Sequence, residues 1–164
     1  MAELLYSACP LPTLPAVRYA GRLAKLCPAT PEGCAEADMM VELANEMNAI
    51  NPIVNWFEFG SEDFQKACDN YFAALPSRLA SAQRILGSQK FYGGGDGPCF
   101  GDFALFHILD NTLLVRPDAL ETFPGLYSWF QTIQSLTSIK SYMANRPGKH
   151  TPGWGKPGSY IMTH

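Results

Sequence analysis

Chemistry in a protein needs nucleophiles, titratable groups or metal ligands brought together, and side chains of those kinds are scarce in this chain. There are five cysteines, Cys9, Cys27, Cys34, Cys68 and Cys99. Their number is odd, they are scattered, and no C-x-x-C pair occurs. That pattern predicts free thiols in a reducing compartment, the cytosol, rather than a disulfide framework or a metal site. The three histidines, His107, His150 and His164, lie far apart in sequence, which argues against a ligand cluster. His107 sits in the most apolar stretch and is expected to be a buried, hydrogen-bonded core residue. The cluster Gly93-Gly94-Gly95-Asp96-Gly97 invites comparison with phosphate loops. Its spacing does not match G-x-x-x-x-G-K-[ST] and no strand precedes it, so it reads as a flexible loop between helices. Neither G-x-S-x-G nor a local Cys/His signature is present. Cys99 is the thiol with a chemical reading, because a cysteine at a helix N-terminus can have a lowered pKa and become reactive. The plainer reading makes it a weak replacement for Ser or Thr at a cap. Three residues on, Asp102 stands where a carboxylate can reach back to the capping N–H.

The elements that must position these residues read as helix after helix, with no convincing strand alternation. At 164 residues, with 47% apolar and 16% charged residues, the chain is one domain long and able to bury a core. Its formal charge of −3, with no basic run, excludes a nucleic-acid binder. No apolar run reaches the roughly 18 residues of a membrane span, and the start MAELLYSACPLP lacks the basic region of a signal peptide. A Pro-rich opening leads to a helix over about Leu14–Leu26, capped by Thr13, with Val17, Ala20, Leu23 and Ala24 as its apolar stripe. Thr30-Pro31-Glu32 starts a long segment to about Phe59. Along it Met40, Leu43, Met47, Ile50, Val54 and Phe57 form a heptad-like seam, and Pro52 predicts a kink. Ser61 opens a helix through Leu75 and Leu86, bent or restarted at Pro76 and stopped by Gly87. A nearly all-apolar helix over 99–114 should be central and buried. Arg116-Pro117-Asp118 starts a short helix, Pro124 another carrying Leu126, Trp129, Phe130 and Ile133, and Thr137 or Ser138 caps a last one ending near Asn145.

The stretch FYGGGDGPCFGDFALFHILDNTLLVRPDALETFPGLYSWFQTIQSLTSIKSYMANRP, Phe91–Pro147, resembles the C-terminal half of a glutathione transferase. The order carries the likeness: a glycine-rich loop, a cap-x-x-Asp helix start, a buried helix with Leu-Asp, a Pro-led segment, Phe-Pro-x-Leu, and a helix ending in Ile-Lys-x-Tyr-Met. The mu- and sigma-like classes are the most similar. With its weaker parts the resemblance covers about residues 14–155, and PAVRYAGRLAKLCP is similar to the helix that closes the family's N-terminal domain.

The resemblance implies an all-α bundle of five or six helices around the buried helix at 99–114. It divides the chain into residues 1–28, a Pro-rich start plus the last helix of an N-terminal domain, and residues 29–164, the C-terminal-like domain. In the family, a hydroxyl at the Cys99 position and the Asp at the Asp102 position cap the buried helix. The resemblance places Phe57 and Phe59 on the wall of a hydrophobic-substrate pocket. In the HTPGW tail it makes Thr151 a polar contact and Trp154 an apolar one. Asn48 matches a position that holds an acidic residue reaching glutathione in the family, but carries no charge. The thioredoxin-like domain that activates the glutathione sulfur has no counterpart in the opening residues beyond its last helix. Three functions follow as expectations. The first is a transferase homologue reduced to its C-terminal domain, with an apolar ligand pocket, little independent activity and glutathione at most as co-substrate. The second is a structural or assembly subunit with a protein partner or a homodimer. The third is an active transferase whose N-terminal half is missing from this chain. All three imply a cytoplasmic protein.

Overall fold

The computed structural model describes residues 13–145. Among them are seven helices and no strand: α1 (Thr13–Leu23), α2 (Pro31–Glu46), α3 (Ile50–Asn55), α4 (Glu62–Leu86), α5 (Phe100–Val115), α6 (Pro124–Ser135) and α7 (Thr137–Asn145). Helix α5 packs against α1, α2, α3 and α6, and buries Leu105, Ile108 and Leu109 among others. It is apolar on most of its circumference, so its burial needs neighbours on several sides. The closest approach is to α2, made possible by Gly101, where a Cβ would sit 2.5 Å from the Ala37 carbonyl oxygen.

Local signals set most helix ends. Thr30 Oγ1 accepts from the Gly33 N–H at 3.0 Å, and Ser61 Oγ accepts from the Phe64 N–H at 3.1 Å. Both satisfy first-turn donors that have no intrahelical partner. Gly87 ends α4 at φ 54°. Helix α1 ends without a glycine: Leu26 N–H donates to the Gly21 carbonyl at 2.8 Å and Lys25 N–H to Arg22 at 3.2 Å. Lys25 takes φ 58° to close this reversal, the left-handed position that glycine usually fills.

Several expectations are corrected. The Thr30–Phe59 segment is two helices, because the chain turns at 47–49 ahead of Pro52. Pro52 becomes the third residue of α3, where its missing N–H costs nothing and no full turn precedes its ring. The seam survives the break: Met40, Met47, Ile50 and Val54 are buried, with Leu43 and Phe57 packed beside them. Helix α4 runs through Pro76 without restarting. Residues 117–122 turn without forming a helix. Thr13 is the first residue of α1, not its cap. The buried face of α1 is Gly21 with Leu14 and Val17, while Ala20, Leu23 and Ala24 point outward. Arg18 turns to α2 and pairs with Asp38 at 2.7 Å and Glu42 at 2.6 Å. His107 is exposed, because the sides of α5 are covered unequally.

Candidate functional site

The residues with chemical readings fall at three places. The first is the start of α5. The Asp102 carboxylate accepts from Cys99 N–H at 2.7 Å through Oδ2. Through Oδ1 it accepts from Tyr92 N–H at 3.1 Å and from the Trp129 indole N–H at 2.7 Å. It therefore joins the glycine-rich loop, α5 and α6 at one buried point, and the capping box expected from Cys99 and Asp102 is closed. Burial raises the Asp102 pKa, opposed by these donors. Of the two readings of Cys99, the geometry favours the cap over the reactive thiol. The thiol is 3% exposed, and its pKa is pushed up to about 12 by desolvation and then by the Asp102 charge. The helix N-terminus cannot offset both, so this sulfur stays protonated and structural.

The second place is the short connection from α3 to α4. Trp56 is 66% exposed and Phe59 42% exposed, with Phe57 half-buried between them. Phe59 meets Phe64 edge to face at 5.3 Å. Where α3 ends, Trp56 and Phe59 are exposed while Phe57 packs against the core. Asn48 lies at the opposite end of α3 and is exposed. Its Oδ1 accepts from Asn51 Nδ2. Asn51 Oδ1 in turn accepts from Asn111 Nδ2 of α5 at 2.6 Å. An amide chain, not a charge, holds Asn48. Phe57 and Phe59 follow one end of α3, and Asn48 precedes the other. Thr151 and Trp154 lie outside the described residues. Trp56 was missed in the sequence, although W-F-E-F concentrates aromatics just where the helical seam stops.

The third place is a cleft of about 230 Å³ between the turn after α1 and the glycine-rich loop, lined by Lys25, Cys27, Pro28, Tyr92, Gly93 and Cys99 among others. The loop is stapled, because Glu36 of α2 accepts from Gly93 N–H at 3.0 Å. The buried phenols, Tyr92 at the cleft and Tyr71 toward the far end of α5, are committed internally. Tyr92 O–H donates to the Ala82 carbonyl at 3.0 Å, and Tyr71 shares a hydrogen bond with Thr112 at 2.7 Å. Burial raises both pKa values, that of Tyr71 to about 12. No group of three or more potential metal ligands occurs among the described residues.

The family described as "Glutathione S-transferase, C-terminal domain" matches residues 42–146. Glutathione S-transferase Mu 6 of Mus musculus is 28% identical over 127 residues, covering 77% of this chain and 56% of that protein. Glutathione S-transferase Mu 1 of Oryctolagus cuniculus is 29% identical over 129 residues, with the same coverage. The chain thus spans about half the length of the curated relatives it matches. Among solved structures, the Onchocerca volvulus Pi-class glutathione S-transferase superposes with a TM-score of 0.73 at 22% identity, covering 93% of this chain and 73% of that one. No helix among the described residues is long and apolar enough to cross a membrane.

Proposed function

The chain belongs to the family of glutathione S-transferase C-terminal domains, and from that premise we propose that it is a domain that binds apolar small molecules, with little or no transferase activity of its own. The observation that carries this is the aromatic set at the α3–α4 connection, where Trp56 and Phe59 present most and nearly half of their surface beside Phe57. Neighbouring aromatic rings with much of their surface exposed are suited to stacking on apolar ligands. In this reading Thr151 and Trp154 complete the pocket, Asn48 is the residue that approaches glutathione where glutathione is present as co-substrate, and the protein acts in the cytoplasm. Transfer to an electrophile needs a thiolate, and lowering a thiol pKa needs a positioned donor. The buried phenols of Tyr71 and Tyr92 spend their hydroxyls on internal partners, which supports weak intrinsic activity.

Two measurements test it. Purified chain with glutathione and a chlorodinitrobenzene-type electrophile is expected to show little turnover above the uncatalysed rate, and robust glutathione-dependent turnover overturns the proposal. Apolar dyes are expected to quench Trp56 fluorescence and to bind at least several-fold more weakly to Trp56→Ala. Unchanged dye affinity in that variant removes the aromatic set from the argument.

A second reading, an assembly subunit or homodimer, is favoured by one specific observation. Helix α1 is apolar on two opposite faces. Leu14, Val17 and Gly21 turn to the domain, while Tyr19 at 47% and Leu23 at 68% exposure point outward with Ala20. A helix apolar on both sides is ordinarily covered on both sides. Light scattering of the purified chain separates the readings: a stable larger complex supports assembly, and a monomer that binds apolar dyes supports the ligand domain.

A further inference from the structure

Three of the four described cysteines converge on one turn. Cys27 is exposed just past the end of α1. Cys34, in the first turn of α2, donates its S–H to the Pro28 carbonyl at 3.4 Å. Cys99 lines the same cleft as Cys27, and Phe100 N–H beside it donates to the Leu26 carbonyl at 3.1 Å. We propose that Cys27 and Cys34 form a disulfide when the protein meets a hydroperoxide, which makes the α1–α2 junction a thiol modification site.

The Cys34 sulfur touches the peptide group one residue beyond Cys27. Backbone dimensions place the Pro28 oxygen no more than about 6 Å from the Cys27 Cα. The turn and the helix are already in contact, since a Cβ on Gly33 would lie 2.8 Å from the Pro28 Cβ. A disulfide requires a Cα separation of about 7 Å or less, which rotation of the exposed Cys27 and movement of its turn toward Cys34 must supply. The hydrogen bond from Cys34 to Pro28 is given up in the process. Cys99 is the rival partner, but it is buried and its pKa is pushed up to about 12, which makes it a poor attacking thiol.

The chemistry balances in two steps. The exposed Cys27 sulfur attacks the hydroperoxide, the O–O bond breaks, and a sulfenic acid forms as the peroxide leaves as alcohol or water. The Cys34 sulfur then attacks the Cys27 sulfur, the S–S bond forms, and the hydroxyl departs as water with the Cys34 proton. The peroxide supplies both oxidising equivalents.

The test treats the reduced full chain with one equivalent of hydrogen peroxide, blocks the remaining thiols and maps the peptides. Cys27 and Cys34 share one tryptic peptide, Leu26–Lys66, and cleavage after Glu32 separates them. The expected result is a tryptic peptide two hydrogens lighter, whose two halves stay joined after cleavage at Glu32 until reduced. Cys34→Ser is expected to abolish this product and leave Cys27 sulfenic acid, while Cys99→Ser leaves the yield unchanged. A bond from Cys27 to Cys99, to Cys9 or to a second chain, or unmodified Cys27 after peroxide, overturns the proposal. Mapping of the unsubstituted chain alone decides among these, whatever the variants do to folding.

Discussion

Asp102 shows how much one side chain decides. Its carboxylate takes three N–H donors from three segments while fully buried. Asp102→Ala leaves those donors without partners, and each buried unsatisfied group costs about 1–3 kcal/mol. The expected loss is about 3 kcal/mol or more, read by urea denaturation, and a loss below 1 kcal/mol would contradict the role of the cluster. Cys99 belongs to the same cluster, and the sequence favours a cap over a reactive thiol without deciding between them. Position at a helix N-terminus is visible in a sequence; the desolvation that outweighs it is not. The order of thiol labelling checks this. Near neutral pH iodoacetamide is expected to modify Cys27 quickly and Cys99 last, because the Cys99 thiolate becomes abundant only as pH nears about 12. Equal labelling rates in the folded protein would refute the assignment. Lys25 is the residue where a local rule is broken. Its φ of 58° costs a side-chain-bearing residue roughly 1–2 kcal/mol relative to ordinary backbone. Lys25→Gly is therefore expected to raise stability by up to about 1 kcal/mol, the rest being offset by glycine's greater freedom in the unfolded chain. A fall in melting temperature would count against it.

At the level of elements, hydroxyl caps, proline at first positions and the glycine stop of α4 are legible because they act within a few residues. Ser61→Ala tests this scale. Loss of the acceptor for Phe64 N–H is expected to cost about 1 kcal/mol, measured as a shift of the denaturation midpoint. Helix breaks are less legible. Pro52 and Pro76 carry the same local signal and have opposite outcomes: one follows a turn at 47–49 and the other rides inside a continuous 25-residue helix. Around Pro76 the long α4 is held by packing at Tyr71, Phe72, Leu75, Leu79 and Ala82, and such contacts outweigh one missing hydrogen bond. The two stripes of α1 show the same limit. The periodicity marks Ala20, Leu23 and Ala24 as apolar, but which apolar arc meets α5 depends on Gly21 seating against Phe100, where a Cβ would come within 2.6 Å of the Phe100 Cβ.

At the scale of the whole molecule, the bundle depends on close contact between α2 and α5. Gly101 is the gate of that contact. Gly101→Ala would drive a methyl group to 2.5 Å from the Ala37 backbone oxygen, and backbone cannot move aside as a side chain can. Overpacking of this kind costs about 1–3 kcal/mol or more. The variant is expected to melt at least several degrees lower and to expose apolar surface to dyes, and an unaltered melting curve would mean that the helices approach less closely than described. The candidate ligand surface also belongs to this scale. Phe57 and Phe59 are named by resemblance, but Trp56 becomes their most exposed neighbour only because α3 ends there and α4 departs in a new direction.

By itself the sequence determined the helical class, most helix starts, the apolar seam from Met40 to Phe57, the pairing of Cys99 with Asp102, and the family. These follow from periodicity, capping and the order of short motifs, all of which act over a few residues. The tertiary structure alone decided that Cys99 is held protonated, that His107 faces outward, that α1 turns a second apolar face away from the domain, and that the Cys34 thiol bonds the Pro28 carbonyl next to Cys27. Burial, charge–charge distance and contact between remote segments are properties of packing, and packing becomes defined only when distant parts of the chain come together.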